Sequence, residues 1–176
     1  MQCVLCDINP AMRRAWEQVL PRWPRLMNVC KVVSGDITEL EVEAVVSPAN
    51  SHGYMRGGVD AVYTRVFGPG VEERLQALIA ALPGKELPVG QALAVPTGHS
   101  RIPWLISAPT MREPSSECHD QPVCDATMAA MKVALEKGFS VIAFPGMGTG
   151  VGRLPVDDAA RAMIRGIDES LPWEEE

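Results

Sequence analysis

The sequence predicts a layered α/β domain in which helices cover both faces of a mixed β-sheet. Short apolar runs alternate with segments of helical periodicity, in the order strand, helix, strand, strand, helix, helix, strand, strand, helix, strand, helix. One run, at 43–49, is apolar almost throughout, which is typical of a strand buried on both faces. The chain has 176 residues, 47% of them hydrophobic, which fits one domain with its own core. We therefore expect a single domain over 1–176.

The first half of the chain contains three predicted strands and three predicted helices. The strands are 3–8, 29–33 and 43–49. Asn9 followed by Pro10 marks the start of the first helix, because asparagine caps helices and proline fits their first turn. Two further helices follow the third strand, on either side of the Gly-Pro-Gly sequence at 68–70.

The second half contains three more strands and two helices. The strands are 90–97, 103–110 and 140–146. A helix is predicted from about 125 to 137, where Gly138 provides a C-terminal stop. The last helix starts near Pro155 and places apolar residues on one face: Ala159, Ala160, Met163, Ile164 and Ile167. The polar segment 111–122 is predicted to be a surface loop, and the three terminal glutamates a solvated tail.

Charge and hydropathy narrow the choice of partners. The net charge is -6 and the sequence shows no basic stripe, which argues against bulk binding of nucleic acid. Backbone N–H groups can still hold a small anion without any lysine. No apolar stretch is long enough to span a bilayer, and the N-terminus lacks the basic start of a signal peptide. We therefore expect a cytoplasmic protein with no membrane contact and no cofactor.

The chain has five cysteines, an odd number that fits reduced thiols better than a disulfide framework. Cys3 and Cys6 form a C-x-x-C inside a predicted strand, which favours core or edge thiols over a redox pair. Cys118, His119 and Cys124 suggest an alternative, a zinc site. Since no fourth ligand lies near them in sequence, we assign no metal and keep this alternative open.

Two glycine-rich loops each follow a predicted strand and precede a predicted helix. The first runs from Ser47 to Gly58 and the second from Gly146 to Leu154. In an open α/β sheet, ligands bind beyond the carboxyl ends of the strands, where such loops gather. Phosphate oxygens need several N–H donors in a small volume, and glycine leaves those donors accessible. The pair of loops therefore predicts a ligand site, although each loop alone is compatible with a simple tight turn.

Three segments of the chain resemble the macrodomain family, which binds ADP-ribose. They are VVSGDIT at 32–38, VVSPANSHGYMRGGVDAV at 45–62 and FPGMGTGVGRLPVDDAA at 144–160. The resemblance covers the chain from about residue 29 to the last helix, and it implies a three-layer α/β/α macrodomain fold with a central mixed sheet. The segment 1–28 lies before this part, and we interpret it as an added N-terminal strand and helix.

The resemblance also implies roles for individual residues. Asp36 would accept a hydrogen bond from the adenine amino group beside the Ile37 backbone, and Asn50 would contact hydroxyls of the distal ribose. Two backbone segments would approach the ligand: Gly57, Gly58 and Val59 at the ribose, and Gly148, Thr149, Gly150, Val151 and Gly152 at the diphosphate.

Asp60 directly follows the GGV sequence, and family members with an aspartate there often hydrolyse ADP-ribose from proteins or nucleic acid ends. The resemblance thus implies a hydrolase with Asp60 and Asn50 as catalytic residues, in which the Asp60 carboxylate orients or deprotonates the water that attacks the anomeric carbon. The partner would be ADP-ribose or an ADP-ribosylated protein or nucleic acid. Two alternatives are a non-catalytic reader of ADP-ribose and a phosphatase acting on ADP-ribose 1''-phosphate.

The same side chains also have purely structural interpretations. Asp36 fits an Asx turn before Leu40, and Asn50 fits a side chain that holds its own loop in shape. Asp60 lies in the first turn of a predicted helix, where a carboxylate is favourable without any catalytic role. The sequence leaves both interpretations of each residue open.

Overall fold

The computed structural model describes residues 1–114 and 116–173, and its elements follow the predicted order. The strands are β1 (Gln2–Asp7), β2 (Cys30–Ser34), β3 (Ala44–Ser47), β4 (Leu93–Pro96), β5 (Trp104–Ser107) and β6 (Val141–Phe144). The helices are α1 (Pro10–Val19), α2 (Gly58–Phe67), α3 (Gly70–Ala80), α4 (Asp120–Glu136) and α5 (Val156–Ser170). The glutamate tail expected at 174–176 lies outside the described residues.

The strands form one sheet in the order β2-β1-β6-β3-β5-β4. Every neighbouring pair is parallel except β4 and β5, which are antiparallel, so the prediction of a mixed sheet is confirmed. β1 lies inside the sheet, where Cys3 is in register with Cys30 on one side and Ile142 on the other. The N-terminal segment 1–28 thus supplies an interior strand. Because the parallel strands share a direction, their carboxyl ends meet at one edge.

Two apolar cores flank the sheet and make the domain three-layered, as predicted. On one face α1, α4 and α5 pack on the strands around the fully buried Trp16 and Phe144. On the other face α2 and α3 pack through Tyr63 and Leu75. Successive residues of β1 alternate between the two cores, as the period of a strand requires.

The predictions for the α1 cap, for β3 and for the cysteines are confirmed. The Asn9 side chain accepts a hydrogen bond from the Ala11 N–H and caps α1, with Pro10 in the first turn. β3 is buried at every position, and all five cysteines are buried and unpaired. Among the described residues, no helix combines the length and apolar character that crossing a bilayer requires.

The predicted start of α4 near residue 125 is wrong. The helix begins at Asp120, five residues earlier, and Pro122 lies in its first turn. Proline is tolerated there because the first N–H groups of a helix have no intrahelical acceptor. Pro122 and the polar residues around it predict a loop, whereas in the structure this proline belongs to the start of the helix.

Gly166 allows α5 to approach α4 closely. A Cβ at this position would lie 2.8 Å from the Cys124 carbonyl oxygen and 3.0 Å from the Thr127 Cβ. We expect Gly166→Ala to lower the free energy of unfolding by roughly 1–3 kcal/mol, because overpacking outweighs the gain in helix propensity. Urea denaturation measures this loss. Gly70→Ala is the matched control, since its Cβ would meet only the flexible end of Arg74. Equal stability of the two variants would contradict the close approach of the helices.

Candidate functional site

A cleft of about 900 Å³ opens at the edge where the parallel strands end. Its lining comes from the segments that follow β1, β2, β3, β5 and β6, and from α2. Every residue that the sequence analysis selected for ligand contact or catalysis lines this cleft: Asp36, Ile37, Asn50, Gly57, Gly58, Val59, Asp60, Gly148, Thr149, Gly150, Val151 and Gly152. The structure therefore brings together three segments that are far apart in sequence.

The second glycine-rich loop presents bare backbone to the cleft. Gly148 has φ +77°, a left-handed conformation that favours glycine, and the Leu154 N–H donates to its carbonyl oxygen at 2.9 Å. The loop thereby closes on itself, and none of the N–H groups at 148–152 donates to an acceptor among the described residues. Free N–H groups that converge in a turn are the arrangement that an anion requires.

Cys118 supports this loop from beneath. Its N–H donates to the Gly152 carbonyl oxygen at 2.8 Å, and a Cβ at Gly148 would lie 2.8 Å from its Sγ. The prediction that 111–122 is a surface loop is therefore wrong at Cys118 and at Met111, which are both buried. Because the segment is polar overall, its two buried residues could not be recognised from the sequence. They pack against Gly148 and Gly152, which have no side chains to occupy that space.

The alternative of a zinc site at Cys118, His119 and Cys124 gains no support from the side-chain contacts. The Cys118 thiol lies 3.4 Å from the Thr110 carbonyl oxygen, whereas the Arg165 Nε lies 3.4 Å from the Cys124 Sγ. Within 1–114 and 116–173, no three His, Cys, Asp or Glu side chains cluster as metal ligands would.

Residues 6–9, at and just beyond the end of β1, also line the cleft, and no sequence prediction placed them there. Asp7 joins this segment to the second glycine-rich loop, because its Oδ2 accepts from the Gly146 N–H at 2.9 Å. Its Oδ1 accepts from the Asn9 N–H at 2.8 Å. The signal that could have found them is the polar DINP sequence at 7–10, which lies at the carboxyl end of a predicted strand, as both glycine-rich loops do.

Asn50 holds the first glycine-rich loop in shape. Its Oδ1 accepts from the backbone N–H groups of His52 at 3.0 Å and Tyr54 at 3.3 Å, and its Nδ2 donates to the Tyr54 carbonyl oxygen at 3.0 Å. The structural interpretation of Asn50 is thus confirmed. One N–H of the amide remains without an acceptor among the described residues, and the side chain still borders the cleft.

Asp36 forms the Asx turn that its sequence context allowed. Its Oδ1 accepts from the Thr38 N–H at 2.8 Å and from the Thr38 hydroxyl at 2.6 Å. Both hydrogen bonds use the same oxygen, and Oδ2 accepts no hydrogen bond from the described residues, while Asp36 lines the cleft. The turn and a contact to a ligand are therefore compatible.

Asp60 lies in the first turn of α2, but its side chain does not cap that helix. It is 7% exposed, and its Oδ1 accepts a hydrogen bond from the hydroxyl of the fully buried Ser47, the last residue of β3. Tyr63 on α2 fixes the helix to the same strand, because its hydroxyl donates to the Val46 carbonyl oxygen at 2.9 Å. Neighbouring contacts thus hold the carboxyl group in one place at the floor of the cleft.

Burial raises the pKa of the Asp60 carboxyl to about 7, because the ionised form loses its hydration. The hydrogen bond from Ser47 acts against this rise, and the negative charge of Glu72 adds to it. A carboxyl group that titrates near neutral pH and borders a cleft can accept or release a proton under physiological conditions.

The macro domain family model matches residues 46–163, and the chain belongs to that family. An uncharacterized protein of Aquifex aeolicus is 41% identical over 142 residues, which are 81% of this chain and 82% of that protein. A Streptomyces griseus protein, described as a macro domain-containing protein in the non 5'region, is 35% identical over 141 residues, 79% of this chain and 78% of its own.

Solved macrodomain structures share the fold. The macrodomain of Mycobacterium tuberculosis DarG superposes with a TM-score of 0.68 at 22% identity, over 78% of this chain and 88% of that chain. A mutant of the Oceanobacillus iheyensis macrodomain with ADPR gives a TM-score of 0.66 at 23% identity, over 77% and 74% of the two chains. At these identities the likeness establishes the common architecture.

Asp60 makes the stability of the fold depend on pH. An unfolded aspartate ionises near pH 3.9, whereas burial holds the pKa of Asp60 at about 7. Between these values the unfolded chain has released a proton that the folded chain retains. The free energy of unfolding therefore falls as the pH rises, by roughly 1 kcal/mol per pH unit.

We expect Asp60→Asn to abolish this fall, because the amide keeps an oxygen for Ser47 and cannot ionise. The variant should gain stability relative to the parent between about pH 4 and about pH 7. Urea denaturation at a series of pH values measures the difference. A difference that is the same at every pH would contradict a buried, protonated carboxyl group.

Proposed function

We propose that the cleft binds ADP-ribose and that the protein hydrolyses ADP-ribose from a modified macromolecule. The observation that carries this proposal is convergence: bare N–H groups of two loops and one buried titratable carboxyl group border a single cleft. Membership of the macro domain family and the likeness to a macrodomain with ADPR support the choice of ligand.

The chemistry of each part of the cleft suggests how the ligand lies. The free N–H groups at 148–152 suit the diphosphate, and the start of α2 at Gly58 adds its positive partial charge next to the phosphates. The Asp36 carboxylate suits the adenine amino group, which is a hydrogen-bond donor. The distal ribose then lies near Asn50 and Asp60, with its anomeric carbon beside the Asp60 carboxyl group.

Hydrolysis at this carbon needs water and a base. As the bond to the macromolecule weakens, positive charge develops on the ribose, and the departing atom takes the bonding electrons. Water oxygen bonds to the anomeric carbon, the Asp60 carboxylate accepts one water proton, and that proton is passed on to the leaving group or solvent. Ser47 would orient the carboxylate through its hydroxyl. A correctly placed base accelerates such steps by roughly 10²–10⁴-fold.

Gly150→Val tests the diphosphate site without disturbing the fold. Gly150 borders the cleft, its φ is not in the left-handed region, and a Cβ there would meet no atom within 4 Å. The new side chain should fill the space of the phosphates and weaken ADP-ribose binding by at least about tenfold, measured by calorimetry. Gly70→Val is the control outside the cleft, and melting curves verify folding. Unchanged affinity in Gly150→Val would place the ligand elsewhere.

Asp60→Asn tests catalysis separately from binding. We expect turnover of ADP-ribosylated substrates to fall by roughly 10²–10⁴-fold while ADP-ribose affinity stays within a few-fold. In the parent, kcat/KM should rise with pH and level off above about pH 7, because the base must be ionised. Asp158→Asn, a carboxyl change outside the cleft, is the control. Release assays on ester, serine, arginine, base and terminal phosphate linkages define the substrate.

The same assays separate the proposed hydrolase from the two alternatives, a non-catalytic reader of ADP-ribose and a phosphatase acting on ADP-ribose 1''-phosphate. A parent protein that binds ADP-ribose but releases nothing from any substrate is a reader. A parent that releases phosphate from ADP-ribose 1''-phosphate, and leaves the macromolecular linkages intact, is a phosphatase. Either result would contradict the proposed hydrolysis.

A further inference from the structure

Glu72 lies on α3, outside both glycine-rich loops, yet it contacts the centre of the first one. Its Oε2 accepts a hydrogen bond from the Met55 backbone N–H at 2.6 Å. The Glu72 side chain is only 17% exposed, and Met55 is buried midway between Asn50 and Asp60. A hydrogen bond from a backbone N–H to an ionised carboxylate is among the stronger ones in proteins.

The other polar group of Met55 is held from α2. The Thr64 hydroxyl donates to the Met55 carbonyl oxygen at 2.9 Å and contacts the Asp60 carbonyl oxygen at 3.0 Å. Both backbone groups of Met55 are therefore tied to helices. The path of the loop between Asn50 and Asp60 is fixed at this one residue, and Glu72 provides one of the two ties.

The charge of Glu72 is only weakly compensated. The Arg56 Nη2 lies 3.8 Å from Glu72 Oε1, but the Arg56 side chain is 76% exposed, and such pairs contribute little in water. The remaining negative charge acts on Asp60, where it adds to the effect of burial and opposes that of Ser47. Other titratable groups around Asp60 are Cys6, Asp7, Asp36 and Arg65, which line the cleft, and the buried Tyr63 on α2.

We propose that Glu72 is a positioning residue: it fastens the first glycine-rich loop to α3 through the Met55 N–H, and its negative charge acts on the Asp60 carboxyl group at the end of that loop. The effect on turnover rests on the proposed function, whereas the effects on the loop and on Asp60 belong to the ligand-free protein. Glu72 itself touches neither the ligand cleft nor the reacting atoms, and it acts through Met55 and Asp60.

Two substitutions separate the effect of the hydrogen bond to Met55 from the effect of the Glu72 negative charge. Glu72→Gln keeps an oxygen for the Met55 N–H and removes the charge, whereas Glu72→Ala removes both. Glu73→Gln is the matched control, since Glu73 is the next residue of α3 and is exposed. In the ligand-free protein, the carboxyl ¹³C resonance of Asp60 reports its titration, and hydrogen exchange of the Met55 amide reports the tie.

We expect Glu72→Gln to lower the midpoint of the Asp60 titration by roughly half a pH unit or more while Met55 keeps its protection. In Glu72→Ala the Met55 amide should exchange about tenfold faster, and Glu73→Gln should change neither quantity. An unmoved Asp60 midpoint in Glu72→Gln, or unchanged Met55 exchange in Glu72→Ala, overturns the proposal. Should Glu72→Ala not fold, the Asp60 midpoint in Glu72→Gln decides alone.

Turnover gives an independent readout. Where the parent hydrolyses an ADP-ribosylated substrate, the acid limb of its kcat/KM profile should move to lower pH in Glu72→Gln, because Asp60 then loses its proton earlier; an acid limb that stays in place counts against the charge effect. Absence of ADP-ribose binding in the parent would defeat the proposed function, and the two ligand-free measurements would still decide the role of Glu72.

Discussion

The cleft depends on one constraint: backbone N–H groups must face a cavity while the loops that carry them are held from the opposite side. Glycines make the backbone of a loop accessible to a ligand, but they provide no side chains that would hold the loop in one conformation. Here the order comes from hydrogen bonds supplied by other elements. Such bonds join Asp7 with Gly146, Cys118 with Gly152, and both Glu72 and Thr64 with Met55.

Strand direction places the two loops together. β3 and β6 are parallel neighbours, and adjacent strands lie about 4.8 Å apart. The glycine-rich loops that follow them therefore leave the sheet side by side. β1 is the neighbour of β6 on its other side, and its loop closes the cleft there. The sheet thus converts three distant stretches of sequence into one site, and Asp60 reaches it because α2 begins where the first loop ends.

Local patterns were enough to predict the elements and both loops. Apolar period and glycine placement are properties of neighbouring residues, so the order of strands and helices and the position of both loops could be inferred from them. The individual residues expected at the cleft were implied by the resemblance to the macrodomain family. For Asp36 and Asn50, the structural interpretation is realised in the turn and loop contacts, and it leaves each side chain at the cleft wall. Residues whose importance depends on long-range contacts were missed. Asp7 meets a partner 139 positions away, and the role of Cys118 is defined by glycines above it.

The protonation state of Asp60 could not be predicted from the sequence either, because it depends on burial and on Glu72, twelve residues further along the chain.

A crystal structure of the protein with ADP-ribose tests the central claim most directly. The account predicts diphosphate oxygens within hydrogen-bonding distance of the N–H groups at 148–152, with the anomeric carbon of the distal ribose beside Asp60 and the adenine beside Asp36. A nucleotide bound away from the second glycine-rich loop, or lying with its adenine against Asp60, would contradict it.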